Sequence, residues 1–227
     1  MGGPTIDALR LTTMISDLPV DLSATQRDTL DAYVGQLERV NARVNLVARP
    51  ASRADLERHV RHCLALATRP FPEGAVVVDW GTGGGLPAVP LAVAFPGVQV
   101  VAVDAVGKKT EAVKLFARRL GLDNLDVWNG RAEAYDGPAP HVSVSRATAP
   151  LATLWGWHAR ARQLLGEATD GAWAPGLVCL KGGDLTAEAA DLGAAAPEAE
   201  VVMQSLAGVL GPEWNDKVIV AVADGAA

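Results

Sequence analysis

Apolar positions in the first third of the chain recur at helical spacing. Residues 22–40 and 52–67 each place apolar side chains three or four positions apart, which predicts two amphipathic helices. Ser23 and Ser52 are positioned to cap these helices, and each is followed three residues later by a side chain that can complete a capping box. The chain is therefore expected to begin with a pair of helices.

From Ala75 onward the pattern changes to short, continuously apolar runs that alternate with amphipathic stretches. The runs predict strands at 75–80, 98–104, 125–129, 141–145, 176–182, near 200–206, and at 217–223. Helices are predicted around 87–95, 107–121, 150–165 and 184–194. Continuous apolar strands between helices indicate a parallel sheet covered on both faces. The short connection between the last two strands predicts an antiparallel hairpin.

These patterns predict an α/β fold with a seven-stranded Rossmann-like sheet. We expect an N-terminal helical extension at 1–70 and a sheet domain at 71–227. The length of 227 residues and the hydrophobic content of 49% fit one large domain with a small extension.

Composition restricts where the protein works. No apolar run approaches the roughly 18 residues of a membrane span, and "MGGPTIDALR" has neither a signal-peptide layout nor a myristoylation signal. Cys63 and Cys179 lie far apart and outside any C-x-x-C pattern, so neither a disulfide framework nor a metal site is predicted. We expect a cytoplasmic protein without a membrane partner. It is expected to be a monomer, because no coiled coil or swapped arm is visible.

Charge is unevenly distributed along the chain. The net charge of −6 argues against a nucleic-acid partner. However, residues 35–70 contain seven arginines and three acids (+4), and residues 104–120 contain five basic residues and two acids (+3). After Gly182, eight acids oppose one lysine (−7). The basic segments fit either a nucleic-acid surface or ordinary solvated helix faces.

A glycine loop follows the first predicted strand in "VVVDWGTGGGLP". Gly81, Gly83 and Gly85 form a G-x-G-x-G pattern, whereas a dinucleotide loop would have glycine or alanine where Leu86 stands. The phosphate-binding pattern G-x-x-x-x-G-K-[ST] does not occur in the sequence. Such a loop suits a ligand that approaches the backbone closely.

Two acidic residues accompany this loop. Asp79 ends the first strand, where its carboxylate can face a cationic amine and would repel a pyrophosphate. Asp104 ends the next strand, 23 residues beyond Gly81, at a spacing typical of a carboxylate that binds ribose hydroxyls. An amine, a sulfonium and a ribose occur together in S-adenosylmethionine, which is the predicted cofactor.

At this point the chain resembles the RsmG family, also called glucose-inhibited division protein B. Its members are bacterial methyltransferases that use S-adenosylmethionine to methylate guanine N7 in small-subunit ribosomal RNA. The resemblance covers nearly the whole chain and follows the family order of motifs. They are "RVNARVNLVA", "ERHVRHCLAL", "VVVDWGTGGGLPAVPLAVAFP", "VDAVGKKTEAVK", "GRAEAY", "SRATAPL" and "LKGG". The implied fold is that of a class I methyltransferase.

The resemblance implies roles for individual residues. Cofactor contacts are implied for Gly81, Gly83 and Leu86, ribose contact for Asp104, and adenine-side contact for Ala132 and Glu133. Arg146 is implied beside both the cofactor and the target base, and Asn45 and Lys181 on the RNA side. The implied partner is 16S ribosomal RNA or the small ribosomal subunit.

The chain departs from the family pattern at several positions. The tryptophan of a family Trp-Asn pair is missing, with Arg39-Val40-Asn41 there instead. His62 and Cys63 replace an Asp-Ser pair, and His141 stands where an Asp is usual. Trp80 is bulky for its place. Most of these changes lie in the N-terminal region that is expected to contact RNA, so substrate specificity is the property they put in question.

Missing motifs agree with an N7 target. The [ND]-P-P-[YFW] loop of adenine amino methylation is absent, and neither cysteine has the setting of a pyrimidine C5 nucleophile. Guanine N7 has a free lone pair and no proton to lose, so no catalytic base is assigned. In the segment 155–158 ("WGWH"), the tryptophans are expected to be core residues more often than stacking rings.

Other functions remain open from the residues alone. The nearest is a methyltransferase of the same fold that acts on a small molecule or a protein. A dehydrogenase is disfavoured by Asp79 and by the incomplete dinucleotide loop. A non-catalytic RNA-binding or assembly factor is disfavoured by the retained cofactor residues.

Overall fold

The sheet sets the frame of the molecule. The computed structural model describes residues 18–48, 51–162 and 170–223. Seven strands form one sheet in the order β3-β2-β1-β4-β5-β7-β6. Their bounds are Val76–Trp80 (β1), Gln99–Asp104 (β2), Leu125–Asn129 (β3), Val142–Arg146 (β4), Gly176–Gly182 (β5), Glu200–Ser205 (β6) and Lys217–Ala223 (β7).

Strands β1 to β5 run parallel, and β7 lies antiparallel between β5 and β6. The predicted seven strands, the parallel core and the antiparallel final hairpin are therefore confirmed. Strand β1 pairs with β2 on one side and β4 on the other. The strand order reverses at that point, and the crevice beyond the carboxyl ends of β1 and β4 is where such sheets bind ligands.

Helices cover both faces of the sheet. Among the described residues they are Ala24–Asn41 (α1), Arg53–Leu64 (α2), Ala88–Ala94 (α3), Gly107–Leu120 (α4), Leu151–Ala161 (α5), Thr186–Ala195 (α6) and Ala207–Leu210 (α7). Short 3₁₀ turns occupy Ala65–Thr68, Ala132–Ala134 and Pro212–Trp214. The sequence predicted six of these helices, and the second was predicted to run to residue 67, whereas α2 ends at Leu64 and a 3₁₀ turn follows. Helix α7 and the other two 3₁₀ turns were not predicted, because each is only about one turn long.

Both N-terminal helices begin as their sequences predict. Ser23 and Ser52 each accept a hydrogen bond from the backbone three residues on, and the reciprocal bonds of the capping box are present. Helix α1 packs against α3 and α4, and α2 packs against α1 and α3. The Gln26 side chain also donates to the Val93 and Ala94 carbonyls at the end of α3.

Two apolar clusters lie on the opposite faces of the sheet. One cluster contains residues of the four helices α1, α2, α3 and α4 together with strand residues such as Val77 and Val100. The other contains residues of α5 and α6 together with strand residues such as Val78 and Trp80. Alternate residues of β1 thus face opposite cores, as a sheet buried on both faces requires.

The first cluster includes residues of α1 and α2, so the N-terminal helices share a core with the strands. The division at residue 70 stays a prediction. Residues 1–17 of the predicted extension, residues 163–165 of the helix predicted at 150–165 and Arg49 lie outside the described residues. Within the described ranges, no helix has the length and apolarity that a membrane crossing requires.

Candidate functional site

A cavity of about 580 Å³ opens beyond the carboxyl ends of β1, β2 and β4. Its size is within the range of small-molecule sites, which is about 300–1,000 Å³. Many of the residues predicted to bind a cofactor line this cavity, although they are far apart in sequence. They are Gly81, Gly83, Leu86, Asp104, Ala132, Glu133 and Arg146. We call it the cofactor cavity.

The glycine loop forms one wall of the cofactor cavity. Gly81 has a φ of +74°, and a Cβ added there would lie 2.2 Å from the Thr148 side chain. Gly85 has a φ of +92°, and a Cβ there would meet Val89 at 2.6 Å. Both the conformation and the space therefore require glycine at these two positions. The backbone of the loop consequently lies directly at the cavity surface.

Asp104 lies where the sequence predicts a ribose-binding carboxylate. It is 9% exposed and lines the cavity at the end of β2. One carboxylate oxygen accepts from the Gly83 amide at 3.0 Å, and the other accepts from the Val106 amide at 2.9 Å. The Lys109 ammonium lies 3.9 Å away. These contacts fix the carboxylate, and each oxygen keeps a lone pair for a ligand hydroxyl.

Asp79 does not line the cavity, contrary to the expectation that it faces a bound amine. Its side chain is fully buried behind the loop, where one carboxylate oxygen accepts from the Ala88 amide at 3.0 Å. Burial raises the pKa of Asp79 to about 7. In this position Asp79 holds the first turn of α3 against the end of β1, and contact with a ligand stays a prediction.

The segment that joins the two N-terminal helices contributes to the cofactor cavity, which the sequence did not predict. Leu46 and Ala48 of this segment line the cavity beside the glycine loop. The Asn41 side chain fixes this segment by accepting from the Leu46 and Val47 amides at 2.9 and 3.0 Å. From the same helix, the buried Tyr33 hydroxyl donates to the Gly84 carbonyl at 2.8 Å.

The far end of the cavity is formed by the turn after β3. Ala132 is buried and Glu133 is exposed, and both line the cavity beside Trp157. The Trp157 indole donates to the Glu133 carboxylate at 3.1 Å, and the Arg160 guanidinium donates to the Ala132 carbonyl at 2.6 Å. Trp155 is a core residue, as predicted for this segment, whereas Trp157 belongs to the cavity.

Strand β4 ends at Arg146 and is followed by Ala147 and Thr148. Ala147 has a φ of +53°, in the left-handed region that non-glycine residues rarely adopt. Backbone strain of this kind is often concentrated at functional sites. Because of this turn, the three residues line the cofactor cavity on one side and a second cavity on the other.

The second cavity has a volume of about 570 Å³ and lies between α2, the ends of β4 and β5, and the turn before β7. Its side chains come from four separated segments of the chain. They include Arg58, His59, His62, Lys181, Glu188, Trp214 and Lys217.

Lys181 lines the second cavity, and its predicted RNA contact stays a prediction. Its ammonium donates to the Glu188 carboxylate at 2.7 Å and to the Ala149 carbonyl at 2.6 Å, and its side chain is 8% exposed. The lysine thus ties the segment after β4 to α6. Asn45 is exposed and adjacent to Leu46, and its predicted RNA contact stays a prediction.

Two histidines of the second cavity are held in the neutral form. Burial, and after it the Arg146 guanidinium, lower the pKa of His59 to about 4 and that of His62 to about 3. Burial raises the pKa of Cys63 and Cys179 to about 12 each. Both thiols therefore stay protonated, in agreement with the expectation that neither cysteine is a nucleophile.

The comparisons with known proteins agree with this arrangement. A model of the GidB family, described as rRNA small subunit methyltransferase G, matches residues 26–192. The match runs from α1 into α6 and includes the walls of the cofactor cavity. The chain belongs to the GidB family.

Curated relatives support the same assignment. A protein of Salinibacter ruber named ribosomal RNA small subunit methyltransferase G is 53% identical over 203 residues, which cover 88% of this chain and 94% of that protein. A protein of the same name from Chlorobium luteolum is 38% identical over 182 residues, covering 80% of this chain and 73% of the relative.

A solved structure has a similar fold. The chain superposes on an O-methyltransferase from Bacillus cereus, crystallised in complex with SAH, with a TM-score of 0.55 and 17% identity. The superposition covers 95% of this chain and 97% of that one. The fold is therefore the predicted Rossmann-like class I methyltransferase fold. This fold and the membership of the GidB family exclude the dehydrogenase that the sequence analysis considered as an alternative.

The departures from the GidB pattern have structural explanations. His141 accepts from the Val76 amide through Nδ1 at 3.0 Å, so the imidazole provides an acceptor as a carboxylate would. Cys63 is a core residue, and His62 packs against Trp214 with ring centroids 5.1 Å apart. Trp80 is fully buried and meets the Tyr135 ring edge-on at 5.1 Å. Nothing in the structure explains the exposed Arg39.

Proposed function

We propose that the chain transfers the methyl group of S-adenosylmethionine to N7 of a guanine in 16S ribosomal RNA. Membership of a family of small-subunit rRNA methyltransferases supports the reaction class. The observation that carries the proposal is that seven residues predicted to bind the cofactor line one cavity. The guanine N7 position rests on the family resemblance and on the chemistry described below.

The residues of the cofactor cavity fit S-adenosylmethionine. The glycine loop presents backbone at the cavity surface, and a Cβ at Gly81 would meet Thr148, which lines the same cavity. We assign the ribose hydroxyls to Asp104 and the adenine side to Ala132 and Glu133, with Leu86 completing the apolar lining. No paired phosphate-binding cations are needed, because this cofactor has no phosphate.

The chemistry requires orientation of the base more than proton transfer. When bound, S-adenosylmethionine supplies a methyl group on a sulfonium. Guanine N7 forms the new N–C bond with its in-plane lone pair, and the electrons of the broken C–S bond stay on sulfur. Because no proton leaves the base, the surrounding residues act through position and charge. Arg146, which lines both cavities, is the residue that we expect to orient the guanine or its phosphate.

Basic residues on both sides of the site support an RNA substrate. Lys109 lines the cofactor cavity and Arg58 lines the second cavity, so each basic segment reaches the site. Part of the N-terminal charge is used internally, since Arg53 pairs with Asp31 and Glu57. We propose that the N-terminal helices form the RNA-binding side of a cytoplasmic, monomeric enzyme.

Transfer of labelled methyl groups tests the proposed function. Purified enzyme is incubated with labelled S-adenosylmethionine and small subunits or naked 16S RNA that lack the modification, and the product is digested to nucleosides. We expect one labelled N7-methylguanosine. Tight cofactor binding without transfer would instead indicate a small-molecule or protein substrate.

The role of Arg146 is tested in the same assay. Arg146→Ala should lower kcat roughly 100-fold, because one oriented donor at the reacting centre is lost. Asp191→Ala, at an exposed position of α6 outside both cavities and both basic segments, is the control and should retain wild-type activity. An unchanged methylation rate and RNA affinity in Arg146→Ala would show that Arg146 does not orient the base.

A further inference from the structure

The second cavity is separate from the cofactor site but adjoins it. The two cavities share only the walls formed by Arg146, Ala147 and Thr148. A group placed in the second cavity would therefore reach the cofactor across this single turn of backbone. This is the geometry expected of a site for the methyl acceptor, which must meet the cofactor at one atom.

The lining of the second cavity suits a nucleotide. Arg58 lies over the ring of Trp214 at 4.1 Å, and Lys217 lies on the same wall. An arginine held on an aromatic face can stack on a base or bind a phosphate, and a lysine can bind a phosphate. Arg146 and Arg58 outweigh the single acid, Glu188, which already pairs with Lys181. The cavity is therefore cationic toward an incoming ligand.

Buried polar atoms around this cavity also lack partners. His62 Nε2, Trp214 Nε1 and Arg146 Nε have no hydrogen-bond partner among the described residues. His62 is 8% exposed and Trp214 is 2% exposed.

The contact between His59 and Arg146 determines the state of both side chains. His59 Nδ1 lies 3.3 Å from Arg146 Nη1. A guanidinium can only donate, so Nδ1 must be the acceptor and the ring proton must be on Nε2. The lowered pKa of His59, about 4, agrees with this neutral form. His59 thus holds one arm of Arg146 and keeps its own N–H as a donor.

We propose that the second cavity receives the target purine of the RNA and that His59 is the positioning residue that directs Arg146 toward it. This inference rests on the proposed function and adds the location of the base. Arg146 then donates to an acceptor on the guanine edge or to its phosphate. Arg58 and Lys217 bind the flanking backbone.

Filling the cavity tests its occupant. Ala149 lines the second cavity and not the cofactor cavity, so Ala149→Phe should obstruct the base and spare the cofactor. We expect S-adenosylmethionine affinity within about threefold of wild type, while kcat/KM for the RNA falls at least about 100-fold, as for a misplaced reacting group. Wild-type kcat/KM for Ala149→Phe would overturn the assignment of this cavity.

A pair of His59 variants tests the positioning role and remains decisive if Ala149→Phe fails to fold. His59→Phe keeps a ring but removes the acceptor for Arg146, whereas His59→Asn keeps an oxygen that can accept. We expect kcat for methylation to fall about 100-fold in His59→Phe and no more than about tenfold in His59→Asn. Thermal unfolding and cofactor affinity should stay near wild type in both variants.

The outcomes separate this inference from the proposed function. If wild-type enzyme methylates guanine N7 and both His59 variants match it, the positioning role is wrong while the function stands. If both variants lose activity equally, His59 does not act through its acceptor, and the role is again wrong. If the wild-type enzyme transfers no methyl group to guanine N7, the proposed function fails, and this inference fails with it.

Discussion

The two cavities are built in different ways, although they share the turn after β4. One wall of the cofactor cavity is a contiguous loop whose glycines set its shape through the backbone, and the other walls come from separate segments. The second cavity is assembled from side chains of four segments that only the fold brings together. A site made by a contiguous backbone loop leaves a pattern in the sequence, and a site made by distant side chains does not.

The same contrast predicts different responses to mutation. An atom added to Gly81 or Gly85 of the glycine loop meets a neighbouring side chain, so a single methyl group should have a large effect there. Long charged side chains line the second cavity, and each is expected to contribute a graded share of RNA affinity.

The largest effect is expected at Gly81. Gly81→Ala places a Cβ 2.2 Å from Thr148 and forces alanine to a φ of +74°, so S-adenosylmethionine affinity should fall at least about 100-fold. Titration calorimetry measures this. Gly193→Ala in α6 is the control, because an added Cβ there meets nothing within 4 Å. Affinity within about threefold of wild type in Gly81→Ala would contradict the close fit of the loop.

The next effect concerns the buried Asp79. Its pKa is raised to about 7 from 3.8, so the folded state retains a proton that the unfolded state releases. Stability is therefore lost as pH rises from about 4 through 7. Asp79→Asn keeps an acceptor for Ala88 without the charge. At about 1.4 kcal/mol per pKa unit, the unfolding free energy of Asp79→Asn relative to wild type should increase by up to about 4 kcal/mol between pH 4 and 8.

Denaturant unfolding of Asp79→Asn and wild type across this pH range measures the difference. Subtracting the wild-type unfolding free energy from that of the variant removes the contributions of His59 and His62, because both histidines titrate in both proteins. A difference in unfolding free energy that does not change with pH would show that Asp79 is ionised normally in the folded protein.

A smaller effect is expected at Ala147. A β-branched side chain is strongly disfavoured at its φ of +53°, so Ala147→Val should lower the unfolding free energy by about 1–3 kcal/mol. Ala147→Gly should change it by less than about 1 kcal/mol, because relief of strain offsets the added freedom of the unfolded chain. Equal stability of the two variants, measured by urea unfolding, would argue against a strained turn.

The smallest effect is expected at the mouth of the second cavity. Arg58→Ala should weaken RNA binding and reduce the slope of log affinity against log salt by about 1, since one phosphate contact is lost. Filter binding across a salt series measures the slope. An unchanged slope would remove Arg58 from the RNA surface and favour its role as a support for Trp214.

Much of the fold followed from the sequence. The strand positions, the capped N-terminal helices and the final hairpin were predicted because apolar periodicity and capping are local properties. Gly81, Gly83 and Asp104 were found for the same reason, since a short loop after a buried strand fixes where they lie.

Other features depended on tertiary contacts. Asp79 accepts from the Ala88 amide and Lys181 pairs with Glu188, and only the folded chain brings these partners within hydrogen-bond distance. Leu46 reaches the cofactor cavity because Tyr33 holds α1 against Gly84 of the glycine loop and Asn41 fixes the segment that follows. His59 could have been noticed in "ERHVRHCLAL", but its contact with Arg146 spans 87 residues.

The most direct test of the two-cavity account is a structure of the enzyme with S-adenosylhomocysteine and an RNA fragment that contains the target guanine. We predict the nucleoside of the cofactor product beside Gly81 and Asp104. We predict the guanine ring in the second cavity, with N7 toward the sulfur across Arg146 and Thr148. A guanine bound outside the second cavity, with His59 and Arg146 far from it, would contradict the account.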